Sequence, residues 1–181
     1  ATLNQVAREG KFESEIQYWS ALSRSNVFSP ESEVENDSRS AATFTLTKEL
    51  THVLLRKVNA AFSTEMNDLL LTSLAHTFSA MMQEDHVLIE MEGHGREQVT
   101  ADLDVSRTVG WFTSTYPFVL KWTPSKSLLD NIVGVKDDLR RIPSKGIGYG
   151  ILQNYTANVF QANPKHGYNF LADFGRDSKF D

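Results

Sequence analysis

The 181-residue chain contains no cysteine, and only five prolines and ten glycines. Without cysteine there are no disulfides, thiolate zinc sites or thiol nucleophiles. The redox compartment stays open, because a cysteine-free chain folds in either. No apolar run approaches the roughly 20 residues that a membrane-spanning helix needs, and the first ten residues are polar, without the apolar stretch of a secretory signal. An excess of positive charge is also missing. With 18 Lys+Arg against 23 Asp+Glu, the formal net charge is -5, which argues against a phosphate-neutralising nucleic-acid surface. There is no GxSxG elbow, so an α/β-type serine hydrolase finds no support. GHG at 93–95 and GIGYG at 146–150 lack the full dinucleotide spacing. His86, Glu90, Glu92 and His94 lie along one predicted strand face, but with no H-E-x-x-H or comparable spacing, and no metal is expected.

What is present suits a packed domain. Hydrophobic residues make up 40% of the chain and charged residues 23%, with 11 Phe, 3 Trp and 5 Tyr. That supports one domain, or a piece of a larger one, expected to be soluble and cytoplasmic, with no membrane or nucleic-acid partner. Phe12, Ile16, Trp19 and Leu22 recur at helical spacing over 11–22. Residues 23–40 are acidic and serine-rich and read as a solvated loop. AATFTLT at 41–47 alternates like a half-buried strand, and Thr47 can cap a helix over 48–61 with Leu50, Val53, Leu54, Lys57 and Val58 on one stripe. A longer helix is expected from Ser63 or Thr64 to about Met82, with Met66, Leu69, Leu70, Leu74, Phe78 and Met81 inward. HVLIEME at 86–92 reads as a strand. Thr123-Pro124-Ser125 announces a further helix with Leu128, Leu129, Ile132, Val135 and Leu139 inward, ended by Pro143. GYNFLADF at 167–174 is a last strand. Alternating strands and helices make the class α/β.

The acid–base possibility centres on Glu92, which ends the 86–92 strand and is followed by a histidine between two glycines. Strand ends present side chains to clefts, and Gly93 and Gly95 admit close backbone approach. A partly desolvated carboxylate carries protons near neutral pH. The plain alternative is a surface strand end paired with Arg96, and spacing alone leaves the two readings even.

At EGHGRE, 92–97, the chain resembles the epimerization domains of nonribosomal peptide synthetases, relatives of condensation domains with the chloramphenicol-acetyltransferase-like fold. EMNDLLLTSL at 65–74, RTVGWFTSTYP at 107–117 and PSKGIGYG at 143–150 match further family motifs in order, and YNFLADF at 168–174 approximates FNYLGxF. The resemblance runs from about Phe12 onward. It implies a mixed sheet flanked by helices, with residues 1–181 forming the C-terminal lobe. The family's HHxxxDG motif is absent, so an N-terminal lobe bearing it is the implied partner, along with a peptidyl carrier domain. The implied reaction is L-to-D epimerization of an aminoacyl or peptidyl thioester, inactive in this half alone, with Glu92 as one acid/base group. The substrate would ride on the carrier's phosphopantetheine, with no directly bound cofactor. Arg107, Asn169, His94 and Tyr149 fall on motif positions that bind substrate or shape the site, while Phe170 replaces the motif tyrosine. The alternatives are a condensation-domain lobe, or a non-catalytic docking scaffold for carrier domains.

Overall fold

A computed structural model describes residues 2–24, 27, 40–100 and 103–171. Among them the chain runs α1 (Thr2–Arg8), a 3-10 turn (Glu13–Glu15), α2 (Ile16–Arg24), α3 (Lys48–His52), a π-helical stretch (Val53–Val58), α4 (Asn59–Phe62), α5 (Met66–Met82), β1 (His86–Gly93), β2 (Ser114–Lys121), α6 (Leu128–Arg140), a 3-10 turn (Pro143–Gly146), α7 (Ile147–Tyr155) and β3 (His166–Tyr168). The sheet is mixed, in the order β2-β1-β3. β1 pairs antiparallel with β2 and parallel with β3.

Val87, Ile89 and Met91 on β1 are buried, as are their register partners Leu120, Phe118 and Tyr116 on β2. Paired residues share a sheet face, so these six make one apolar surface. Trp19 of α2, Leu71 and Ala75 of α5, and Ile147, Ile151 and Leu152 of α7 join the same buried cluster. Trp19 is wholly buried and meets Tyr18 and Tyr149 edge-on, with ring centroids 4.8 and 5.2 Å apart.

The sequence expectations hold for β1, for the existence and extent of α5, and for the 11–22 stripe, whose Phe12 and Trp19 are buried with Ile16 and Leu22 packed against them; elsewhere they hold only in part. AATFTLT forms no strand and Phe44 is 87% exposed: alternation supplies one apolar edge, and the three-stranded sheet offers it no neighbour. Helix 48–62 forms behind a Thr47 cap, whose side chain accepts from the Leu50 N–H. Leu50 and Val53 of the expected stripe are exposed, as is Leu55, and the helix turns π-helical over Val53–Val58. On α5 the buried positions are Asp68, Leu69, Leu71, Thr72, Ala75 and Ser79, while Leu70 and Met81 are exposed. Small residues allow this helix to approach closely. The Thr72 hydroxyl donates to the Asp68 carbonyl at 2.7 Å, so its burial leaves no donor unmet.

Helix α6 begins at Leu128 behind Ser127, not at Pro124, and Leu128 and Leu129 are exposed. Buried Asn131 explains the later start. Its side chain accepts from the Thr123 N–H and donates to the Thr123 carbonyl, folding 123–127 into a turn ahead of the helix. Two helices, α1 and α7, appear where no helix was expected. The last strand is only His166–Tyr168, with 169–171 unpaired and 172–174 outside the described residues, as is most of the acidic stretch 23–40.

Candidate active site

Glu92 stands one residue from the end of β1, directly across from Thr115, on the face opposite the apolar cluster. Its side chain is exposed and makes no hydrogen bond or ion pair with the described residues. The pairing with Arg96 that would make it an ordinary surface residue does not form. The Arg96 guanidinium is spent on the loop before β2. It donates to the carbonyls of Val105, Thr108 (3.0 Å) and Gly110 (3.3 Å), and lies 4.2 Å from the centre of the Phe112 ring. One planar cation thereby closes the 105–112 loop through three acceptors and a cation–π contact.

The glycine at 95 is required for this closure. Its φ of +63° is left-handed, and a Cβ there would come within 1.5 Å of the Phe112 carbonyl oxygen. His94, between the glycines, has a half-exposed ring whose Nδ1 accepts the Arg96 N–H at 2.9 Å. Its Nε2 lies 3.3 Å from Glu97 Oε1. Glu97 Oε2 is buried, with no hydrogen-bond partner in the structure.

The other anticipated residues divide. Asn169 follows Tyr168, the parallel partner of Met91, so β3 delivers it to the end of β1 that carries Glu92. Tyr168 fixes that delivery by donating its hydroxyl to Asn67 Oδ1 at 2.8 Å, and burial pushes its phenol up to about 12. Arg107 sits exposed in the loop held by Arg96, without a partner among the described residues. Tyr149 is not drawn to Glu92. It stacks on Phe160 at 5.3 Å and meets Trp19 edge-on, and its phenol is raised by burial first and by Glu90 second. It is partly buried and packs against the core.

The PSKGIGYG segment has a structural reason that spacing alone did not reveal. The buried Glu15 carboxylate accepts from Trp19 Nε1 at 3.0 Å and from the Ser144 hydroxyl at 2.6 Å. It occupies the space where a side chain on Gly148 would be, 2.1 Å from that Cβ position. The i,i+4 spacing of Glu15 and Trp19 was the available signal. Nothing in the sequence marked Arg96 as the clasp of a loop. No group of three or more His, Asp or Glu suited to a metal occurs among the described residues, and no helix there is long and apolar enough to cross a membrane.

Residues 1–166 match the condensation-domain family model. The chain belongs to the condensation-domain family. Among curated proteins it is 39% identical over 184 residues to surfactin synthase subunit 1 of Bacillus subtilis (strain 168), covering 95% of this chain and 5% of that protein. It is 36% identical over 192 residues to gramicidin S synthase 1 of Brevibacillus brevis, covering 98% and 17%. The chain thus spans a small fraction of the curated relatives it matches. Among solved structures, the epimerization domain from the third module of tyrocidine synthetase B superposes with a TM-score of 0.79 at 36% identity, over 92% of this chain and 41% of that one. The first condensation domain of the calcium-dependent antibiotic synthetase, bound to a substrate analogue, gives 0.62 at 17% identity, over 92% and 36%. That second likeness speaks for the fold alone. The fold is therefore the condensation-domain, chloramphenicol-acetyltransferase-like one, and the relatives are synthetase subunits.

Proposed function

We propose that this condensation-family chain is the C-terminal lobe of an epimerization domain, converting an L residue on a carrier-bound thioester into an L/D mixture. The observation that carries this is Glu92: it opens an intact EGHGRE segment, at a strand end, and is not neutralised by Arg96. The thioester carbonyl lets the α-carbon lose its proton by delocalising the electron pair as an enolate. In the forward step the Glu92 carboxylate and a second carrier stand on opposite faces of that carbon. One takes the proton as the C–H bond breaks, and the other returns a proton to the opposite face.

By resemblance, the second carrier is a histidine of HHxxxDG in an N-terminal lobe, and the substrate arrives on the phosphopantetheine of a peptidyl carrier domain. No other cofactor enters this chemistry. Arg107, Asn169 and His94 then shape the wall around Glu92. His94 does so through Glu97, and Asn169 by its place beside the strand end.

The test supplies a separately made N-terminal lobe and a loaded carrier in deuterium oxide. Deuterium at the α-carbon of the recovered amino acid is the expected result. The family match itself favours a second reading, condensation, which would give a new peptide bond and no α-deuterium.

A further inference from the structure

We infer that the cavity between residues 95–99, 103–105 and 111–115 and α7 is a pocket for a large apolar side chain on the acyl group; the assignment rests on the epimerization reading for the substrate but not for the pocket itself. The cavity holds about 420 Å³ and is walled chiefly by apolar side chains, among them Val99, Val105, Phe112, Ile147 and Ile151. This is within the range of small-molecule sites, which are typically several hundred Å³. Its lining includes Ser114 and Thr115, the register partners of Gly93 and Glu92, which sets it beside the strand end that carries Glu92.

The charge of the wall narrows the occupant. Among the described residues, Glu97 is the one charged residue in the lining. Its Oε1 lies 3.3 Å from His94 Nε2 and its Oε2 is covered by protein, and its negative charge disfavours an acidic side chain. A branched aliphatic or aromatic side chain gains most from such a space.

Gly150 supplies the second observation. It lies inside α7, where glycine weakens a helix relative to alanine. Its backbone is not left-handed, and a Cβ built on it would meet nothing within 4 Å. Nothing in the fold demands glycine there, yet the residue lines the cavity. Leaving out a side chain at 150 keeps the space open. The same helix therefore presents Gly148 to Glu15 for close packing and Gly150 to the cavity as open room.

The experiment measures binding of amide-linked acyl-pantetheine analogues, which neither hydrolyse nor racemise, carrying N-acetyl-L-phenylalanine, -leucine, -alanine or -glutamate. Calorimetry with this chain is expected to show the phenylalanine and leucine probes at least ~10-fold tighter than alanine, and glutamate weakest. In Gly150→Leu the large-probe preference is expected to collapse to within about twofold of alanine, with a thermal midpoint no lower than that of the parent. Gly150→Ala should fall between. Equal affinities across the series, no measurable binding of the phenylalanine probe, or an unchanged preference in Gly150→Leu would overturn the pocket. Failure of α-deuterium exchange with the reunited lobes would count against epimerization while leaving this binding order in place.

Discussion

Arg140 and Asp68, 72 residues apart in sequence, meet in a two-bond fork: Nη1 donates to Oδ1 at 3.1 Å and Nη2 to Oδ2 at 3.0 Å. Asp68 is almost wholly buried and also accepts the Glu65 N–H at 2.9 Å, closing the N-terminus of α5. The contact raises the Arg140 pKa, chiefly through the hydrogen bonds to Asp68. One carboxylate thus caps α5 and joins it to α6. The pair belongs to the scaffold, although its aspartate lies in the DLLL segment.

Replacing Asp68 by Asn should cost about 2 kcal/mol, because the amide presents an N–H toward the guanidinium and loses the charge-assisted fork. Arg140→Lys should cost about 1 kcal/mol, since the half-exposed Arg140 leaves its replacement partly solvated. Urea unfolding is the measure: the midpoint should fall in both variants with the m-value unchanged.

Arg96→Lys should loosen the loop before β2. A lysine ammonium cannot reach three carbonyls in one plane while stacking on Phe112. Amide hydrogen exchange over residues 105–112 should rise at least ~10-fold, with the β1 and β2 amides unaffected. Unchanged protection in the loop would show that Arg96 does not hold it.

Tyr116 and Tyr168 should ionise late. Burial, then Glu97 and Tyr18, pushes Tyr116 up to about 12, and burial alone does so for Tyr168. Both folded-state values exceed the ordinary phenol value of 10.0. The neutral form is therefore favoured in the native state. This contribution is fully present below pH 10 and is lost as pH rises toward 12. Phenolate absorbance should show a late component that Tyr116→Phe and Tyr168→Phe each reduce, and urea midpoints should fall across the same pH window.

Much of this was legible from the residues. The 86–92 run keeps Val87, Ile89 and Met91 on one buried face and Glu90 and Glu92 exposed on the other, where Leu88 alone is buried, so the alternation read from the sequence holds in the sheet except at Leu88. Helix α5 was visible from its length, and its inward face in part: Leu69 is buried and Leu74 and Phe78 pack against the core. Periodicity ranks residues by hydrophobicity, whereas α5 buries Thr72, Ala75 and Ser79 for their size and leaves Leu70 and Met81 outside. The strand at 41–47 failed for the complementary reason: alternation prepares a residue such as Phe44 for burial, but a neighbour must exist. At the site, the resemblance marked Glu92, Arg107, Asn169, His94 and Tyr149, and the fold brings Asn169 toward the Glu92 strand end while packing a partly buried Tyr149 against the core. The clasp of Arg96 on three carbonyls and the Glu15 carboxylate against Gly148 depend on long-range backbone placement, which local spacing does not encode.

The role of Glu92 is tested most directly by chiral analysis of the amino acid released from a loaded carrier domain, with this chain and a separate HHxxxDG lobe present and Glu92→Gln run in parallel. Appearance of the D residue only with both lobes and an intact carboxylate is the predicted result. Substituting the amide removes the proton-accepting group without changing the shape of the strand end, so the variant should lose at least ~100-fold in rate. Persistent D product from Glu92→Gln would contradict the assignment of Glu92, and exclusively L product from associated wild-type lobes would contradict epimerization itself.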